Sequence, residues 1–482
     1  MAALSAQLHE DENLLARLDR IPLTRSIVGI MILLAFVWLA EAFDIGIVGP
    51  VIAMLNKTWH LTAGQQGTFA IASILGVVLG MIPAGAIADR FGRRRVALIG
   101  LTAFSVLTFL GALANSFDTL VAVRFLSGLG EGAILPLPYL FLSEFVHTRR
   151  RAVTVGYTNG ILTAAYLIPN LCGAWALGAF PASIAWHVPF LLGGIPLLLT
   201  IPLARWLPES PRFLLKRGER DKVRRLVERL EDEAGLPHDS SLVNKRALAV
   251  IHKGMNQRPT LSTLLRQPYL SRGLITAAQL TAALLLFYIV LSFGPAILGT
   301  RGLGTSNAIV ITGVMMGVAG FGSVAQGYLS DRFGRRPILA LYYGLAALGC
   351  GLFGLFRGIS TSVIAGFLIS FFGLGVFPVA KIAVAEQYPT RLRGKGVYYN
   401  EMIARFIAGT ATFFIPLLLS AVNHSLLFDG IGVAIVFFAL PIVVFGRETA
   451  RISVEEAGTD LTFDQLDAQV VLPEAGASVP GR

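Results

Sequence analysis

Glu41, Asp44, Arg124, Glu131, Lys381, Glu401 and Arg405 are ionisable residues in stretches of sequence otherwise apolar enough to sit in lipid. The stretch "AFVWLAEAFDIGIVGPVIAML", residues 35–55, carries the first two. An ionised group at mid-bilayer costs about 2.5–3.5 kcal/mol on insertion scales, so such groups face a partner or a water-filled cavity. On a helix, Glu41 and Asp44 share a face at i, i+3, and Arg124 and Glu131 share one at i, i+7. Burial favours the protonated form of a carboxylate and a nearby guanidinium favours the ionised form, so a moving Arg changes its proton affinity. That is the chemistry of proton coupling, read here for Asp44, Arg124, Glu41 and Glu131; a static structural ion pair is the alternative. Glu401 and Arg405 stand at i, i+4. Either they neutralise each other, or Arg405 faces a cavity and binds a substrate carboxylate through a bidentate contact. Lys381 lies near one end of its apolar stretch, where it either joins the cavity or snorkels to the interface.

The elements that must position these groups are long apolar helices. The chain has 482 residues, of which 54% are hydrophobic and only 14% charged, and its mean hydropathy is +0.68. Apolar runs of about 20 residues recur, each able to cross a hydrocarbon core of roughly 30 Å. Twelve spans are read, at 27–55, 64–88, 95–114, 119–145, 152–178, 187–207, 271–298, 306–330, 337–356, 361–385, 396–421 and 427–446. Asp44 then lies eleven residues from the far end of span 1, about 17 Å along a helix and so near the midplane. The expected fold is an all-α polytopic membrane protein. The first 26 residues lack the features of a cleavable signal peptide, so span 1 is expected to act as its own insertion signal.

Charge placement fixes the expected orientation. Only Lys57, Arg301 and Arg357 fall on one side of the spans, and Arg124, Lys381 and Arg405 fall within them; the remaining Lys and Arg lie on the other side. By the positive-inside rule both termini are cytoplasmic, in a plasma or inner membrane. The net charge of +11 is then a topology signal, and no nucleic-acid partner is needed to explain it. Cys172 and Cys350 fall in spans of opposite halves and read as small apolar fillers. Asn56-Lys57-Thr58 and Asn423-His424-Ser425 match the glycosylation triplet on predicted outer loops, which matters only in a eukaryotic host.

The spans form two related groups. "GAIADRFGRRRVAL" at 85–98 matches "GYLSDRFGRRPILA" at 327–340, and "SEFVHTRRRAVTVGY" at 143–157 matches "AEQYPTRLRGKGVYY" at 385–399, both at an offset of 242 residues. Two motifs far apart that keep one register mark a parallel repeat of six helices. The divisions read are a cytoplasmic segment at 1–26, an N-terminal bundle at 27–207, a central loop at 208–270, a C-terminal bundle at 271–446 and a disordered tail at 447–482. Within the central loop, Val223, Leu226, Val227 and Leu230 recur at helical spacing and predict an amphipathic helix.

The doubled motif carries a family resemblance. Gly85-x-x-x-Asp89-Arg90-x-Gly92-Arg93-Arg94 and Gly327-x-x-x-Asp331-Arg332-x-Gly334-Arg335-Arg336 resemble the signature loop of the major facilitator superfamily. The resemblance implies two pseudo-symmetric six-helix bundles with substrate held between them near the midplane. Glu144-x6-Arg151, Glu386-x6-Arg393 and Pro208-Glu209-Ser210-Pro211-Arg212 narrow it to the sugar-porter branch and its relatives, including aromatic-acid symporters and niacin-type transporters. For Asp89, Arg90, Gly92, Arg93, Glu144, Arg151, Glu209, Arg212, Asp331, Arg332, Gly334, Arg335, Glu386 and Arg393 the resemblance implies a cytoplasmic gate of ion pairs. The C-terminal counterpart of the Pro-Glu-x-Pro-Arg element is reduced to "GRETA" at 446–450, so the resemblance does not carry that half of the gate. Asp44 and Arg124 are similar to the span 1 acid and span 4 Arg of proton-linked members, and helices 1 and 4 are neighbours in such proteins. Arg405-Phe406-Ile407-Ala408-Gly409 keeps part of a span 11 Arg motif of the aromatic-acid and niacin-type groups.

Substrate class is read from what the cavity lacks. Sugar hydroxyls must each be paired when desolvated, yet span 7, "GLITAAQLTAALLLFYIVLSFGPAIL", offers Gln279 and then an apolar, aromatic stretch with Phe287 and Tyr288. With Arg405, Glu401, Gln279 and Tyr288 as the substrate set, the expected function is proton-coupled symport of a small organic carboxylate, an aromatic body being favoured. A sugar or polyol porter, a drug exporter and a non-cycling transporter-like receptor stay open. The expected partners are a small-molecule substrate and the lipid bilayer, with no obligate protein partner. The proton is the coupling ion, no other cofactor or metal is expected, and no metal cluster, phosphate-binding loop or nucleophile motif supports an enzyme.

Overall fold

The computed structural model of the chain describes residues 2–145, 160–238, 261–388, 390–446 and 448. Among them the regular structure is helical, without strands. Eleven helices are long and apolar enough to cross a membrane, where the sequence leads one to expect twelve. The difference falls on span 4. Its helix Phe117–Ile134 carries Asp118, Arg124 and Glu131, and ends before Pro136, beyond which Leu137–Phe145 resumes. Proline has no N–H to continue the ladder, and the charged residues lower the segment's apolarity. Span 4 nevertheless packs between spans 2 and 3. A side chain at Gly132 would come within 2.1 Å of the Val77 carbonyl, so glycine is what lets these backbones approach.

Local signals set the helix starts. Thr24 accepts from the Ile27 N–H at the head of Arg25–Gly46. Thr62 and Gln65 cap each other reciprocally at the head of Ala63–Phe91, and Ser116 accepts from Thr119 N. Each such cap contributes about 1 kcal/mol. Span 1 is interrupted at Ile47 and continues as Val48–Trp59, with Pro50 just beyond the break. Span 10 runs as Ile359–Leu368, widens into a π turn over Ile369–Leu374 and resumes as Phe377–Glu386. Lys381 and Glu386 both lie on that last piece.

Two features escape the sequence reading. The polar N-terminal segment forms a helix, Ala2–Arg20, which docks on the loop helix Arg220–Ala234. Leu14, Leu18 and Ile21 are buried in one cluster with Val223, Val227 and Leu230. Around this seam Arg17 donates to both oxygens of Glu231 at 3.1 and 2.5 Å, Arg20 donates to Glu231 at 2.7 Å, and Arg220 grips Asp11 at 2.6 and 3.1 Å. Burial pushes the Glu231 carboxyl up, but the hydrogen bonds and charges of Arg17 and Arg20 outweigh it and hold it below its usual range. The second feature is continuity between the halves, because one apolar cluster runs from spans 1, 2 and 5 into spans 7, 8 and 10 to 12.

Candidate functional site

The centre of the molecule is built on the Asp44 and Arg124 side chains. Arg124 Nη1 donates to both carboxylate oxygens of Asp44 at 2.9 Å, and Nη2 donates to the Asp44 backbone carbonyl at 3.2 Å. Thr108 of span 3 donates its hydroxyl to Asp44 Oδ1. Neither Asp44 nor Arg124 is exposed. The carbonyl that Arg124 takes lies one turn before the break in span 1, so the guanidinium binds side chain and helix end together. Glu41 lies within electrostatic reach of Asp44, Arg405 and Lys381, and Glu131 of Asp44, Arg124 and Arg405. Both oxygens of Glu131 and Oε2 of Glu41 are buried with no hydrogen-bond partner.

The C-terminal bundle supplies a closed circuit of contacts. Arg405 donates from Nε to Glu401 at 3.1 Å and from Nη1 to the Tyr288 hydroxyl at 2.8 Å. Lys381 reaches the other oxygen of Glu401 at 3.4 Å, and its ammonium lies 5.8 Å from the centre of the Phe377 ring. Phe377 packs edge-on to Phe287 at 5.7 Å, and Phe287 adjoins Tyr288. Lys381 therefore joins the cavity group and does not snorkel away. Across the halves, Tyr166 of span 5 meets Phe287 edge-to-face, ring centres 5.1 Å apart. Tyr166, Phe377 and Thr108 did not stand out among the sequence candidates; aromatic residues in an apolar span carry no mark that separates packing from a site.

Gln279 is committed elsewhere. Its amide donates to the Ala380 carbonyl at 3.0 Å and its carbonyl accepts from Tyr343 at 2.9 Å, which ties spans 7, 9 and 10 together. Between the halves, beside Arg405, Tyr288, Ser73 and Ser292, remains a cavity of about 10 Å³, room for about one water. The central groups are closed on one another.

The basic end of the molecule carries the repeated motifs. Gly92 and Gly334 adopt φ of +102° and +101°, a region open mainly to glycine. Each starts a helix whose first N–H groups need acceptors. Glu209 accepts from the Arg93 and Arg94 N–H groups at 2.9 and 3.1 Å, and Glu448 accepts from those of Arg335 and Arg336 at 2.8 and 3.0 Å. The sequence reading leaves "GRETA" without this role; Glu448 fills it, because a helix start requires only one carboxylate at the right distance. Arg93 pairs with Glu144, which also accepts from Ser210 at 2.6 Å. Arg335 bridges Asp331 at 2.7 Å and Glu386 at 3.7 Å. Arg90 accepts from Arg217 through its carbonyl at 2.7 Å, whereas Arg212 and Arg332 are exposed. Arg151 and the side chains of Asp89 and Arg393 fall outside the described residues.

The family model described as Major Facilitator Superfamily matches residues 34–403 and 319–471. The chain is 26% identical over 454 residues to the niacin transporter NiaP of Acinetobacter baylyi, covering 92% of this chain and 100% of that one. It is 26% identical to the 4-hydroxybenzoate transporter PcaK of Pseudomonas putida, over 80% and 84% of the two chains. With the gallate transporter of Pseudomonas putida the identity is 27%, over 87% and 90%. Among solved structures, the proton:xylose symporter XylE aligns with a TM-score of 0.72 at 19% identity, over 89% of this chain and 98% of that one, a likeness of fold.

Proposed function

The chain belongs to the Major Facilitator Superfamily, and from that premise we propose that it couples proton movement to the symport of a small organic carboxylate, an aromatic one being favoured. The protein is an integral multi-pass membrane transporter and not an enzyme. Under the proposal both termini face the cytoplasm, as the concentration of Lys and Arg at the basic end implies, in a plasma or inner membrane.

The observation that carries the reading is the placing of two guanidinium groups around one closed centre. Arg124 is spent on Asp44, which leaves Arg405 for a ligand. Among the described residues Arg405 donates to Glu401 and to the Tyr288 hydroxyl, and Lys381 also contacts Glu401, so these two cations share one carboxylate and leave a local positive charge. A substrate carboxylate displacing the Tyr288 contact would balance it through a charge-assisted bond. Asp44 is the coupling acid. When the bundles move and Arg124 shifts, its proton affinity changes. Glu41 and Glu131 act on Asp44 through their charge. That relatives of this length are named for niacin, 4-hydroxybenzoate and gallate supports an aromatic acid over a hexose.

Uptake into proteoliposomes tests the reading, with small aromatic and aliphatic carboxylates beside hexoses, with and without an inward proton gradient. Gradient-dependent accumulation of a carboxylate is expected. Hexose flux indifferent to the gradient would overturn it.

A further inference from the structure

The repeated motif has unlike surroundings in the two halves. At the basic end of the N-terminal bundle, a cavity of about 400 Å³ lies between the first turns of span 3 and the loop helices Pro211–Lys216 and Arg220–Ala234. Arg94, Arg95, Arg217 and Lys222 line it beside Phe91 and Leu98. The two carboxylates in the lining are engaged. Glu209 Oε1 accepts from the N–H groups of Arg93, Arg94 and Ser210, and Glu219 pairs with Lys222. The guanidinium groups of the three arginines instead meet backbone carbonyls or water. Arg94 donates to the Ala204 carbonyl, and its Nε is buried without a hydrogen-bond partner. Arg217 donates to the Arg90 carbonyl at 2.7 Å and lies 5.4 Å from the centre of the Phe213 ring. Arg95 is exposed. The second half lacks most of this. At the offset of 242 residues Arg336 stands for Arg94 and donates to the Val443 and Val444 carbonyls, but Pro337 stands for Arg95 and Ala340 for Leu98. Arg217 and Lys222 belong to the central loop, which occurs once. Three of the four cations are therefore additions to the motif, and the helix start beside them is already held by Glu209.

The depth of the cavity identifies the ligand. Arg94 and Arg95 lie in the first turn of span 3, where the helix leaves the hydrocarbon for the headgroups. One turn further in, Ile99 is exposed, as is Trp206 at the end of span 6; tryptophan marks the membrane interface. Guanidinium groups take a phosphate through paired N–H donors, and Phe91 and Leu98 offer an apolar flank to the first methylenes of an acyl chain. We propose that this cavity binds the headgroup of an anionic phospholipid from the leaflet at the basic end, with the phosphate on Arg94, Arg95 and Arg217. A zwitterionic headgroup brings a cation of its own beside these groups and is the weaker ligand. The bound lipid ties span 3 to the loop helices, and so steadies the segment that carries Glu209. The inference does not depend on the identity of the cargo.

The test titrates the full-length protein, purified and delipidated in a neutral detergent, with micelles carrying dioleoylphosphatidylglycerol or dioleoylphosphatidylcholine, and separately with glycerol 1-phosphate and inorganic phosphate. Amide exchange across residues 211–222 is read at each step. Phosphatidylglycerol is expected to slow it at a concentration at least about tenfold below that of phosphatidylcholine, as attraction to several cations implies, and the soluble phosphates are expected to leave it unchanged at that concentration. Arg95→Gln, Arg217→Gln and Lys222→Gln together should shrink the lipid preference to within about threefold. Lys216→Gln, Arg225→Gln and Arg266→Gln together remove the same charge from exposed positions at this end and should keep it. Equal response of the wild type to both lipids would overturn the proposal, and that comparison needs no variant to fold. A preference that survives the first triple variant, or falls equally in both, would also overturn it, the latter by assigning the lipid to diffuse surface charge. Slowing by glycerol 1-phosphate at the concentration effective for phosphatidylglycerol would overturn the lipid assignment in favour of a soluble anion.

Discussion

Arg124 and Asp44 are joined by two 2.9 Å hydrogen bonds and a third to the Asp44 carbonyl, in a place where neither is open to solvent. Removing one partner of such a pair leaves a buried charge uncompensated, at a cost of about 3–5 kcal/mol. Arg124→Ala is therefore expected to lower the unfolding temperature of the purified protein markedly. Arg124→Ala with Asp44→Asn should lose less than the two single losses together. Additive losses, measured by thermal unfolding in detergent, would mean that the pair is not coupled.

Glu209 and Glu448 hold equivalent helix starts, and the two starts should weaken alike when either carboxylate is removed. Glu209→Ala frees the Arg93 and Arg94 N–H groups, and Glu448→Ala frees those of Arg335 and Arg336. Bonds to a charged acceptor contribute about 1.5–3 kcal/mol, less where water competes. Amide exchange at those two positions is expected to quicken roughly tenfold. Hydrogen–deuterium exchange checks it, and an effect confined to Glu209→Ala would restrict the carboxylate hold to one half.

The opposite end of the molecule closes through glycine. A side chain at Gly49 of span 1 would come within 2.2 Å of the Leu291 carbonyl of span 7, and one at Gly67 within 2.3 Å of the Phe413 carbonyl of span 11. Each contact lies between the two halves, so a larger residue must hold them apart there. Gly49→Val is expected to keep this end open and to cut transport by at least about tenfold, as a shift of about 1.4 kcal/mol in the closing equilibrium would. Spin-label distances across the spans 1 and 7 contact read the opening directly; unchanged distances would contradict it.

The docked N-terminal helix should respond to acid. Glu231 is held below its usual range when docked, whereas a free glutamate titrates near about 4.3. A carboxyl lowered in the docked state stabilises docking fully above its undocked value. That stabilisation is lost as pH falls through the docked value. Protection of the amides across residues 10–20, taken relative to the intrinsic exchange rate at each pH, is thus expected to be high at neutral pH and to fall below about pH 4. Glu231→Gln should show the lowered protection already at neutral pH and converge with the wild type in acid.

How much of this was legible in the sequence follows from the kind of signal each part leaves. Spans announce themselves by apolar length, and the repeat by its register, so the two-bundle fold could be read directly. Asp44 and Arg124 were visible because charge is rare in such segments. Glu448 was not, because a helix-start acceptor needs one carboxylate and no surrounding motif. The clasp of Ala2–Arg20 on Arg220–Ala234 was hidden because a polar, mixed-charge segment reads as solvated until its partner is known. Tyr166, Phe287 and Phe377 look like any membrane aromatics, and only the fold brings them to one point. Span 4 is less apolar than the others because it carries Asp118, Arg124 and Glu131.

The most direct test compares wild type with Asp44→Asn in the same proteoliposomes, reading both gradient-driven accumulation and substrate exchange. The account predicts that wild type accumulates carboxylate only with an inward proton gradient. Asp44→Asn, unable to exchange a proton, should lose accumulation while retaining exchange above the empty-liposome level. Accumulation undiminished in Asp44→Asn would contradict the account and leave Asp44 a structural partner of Arg124.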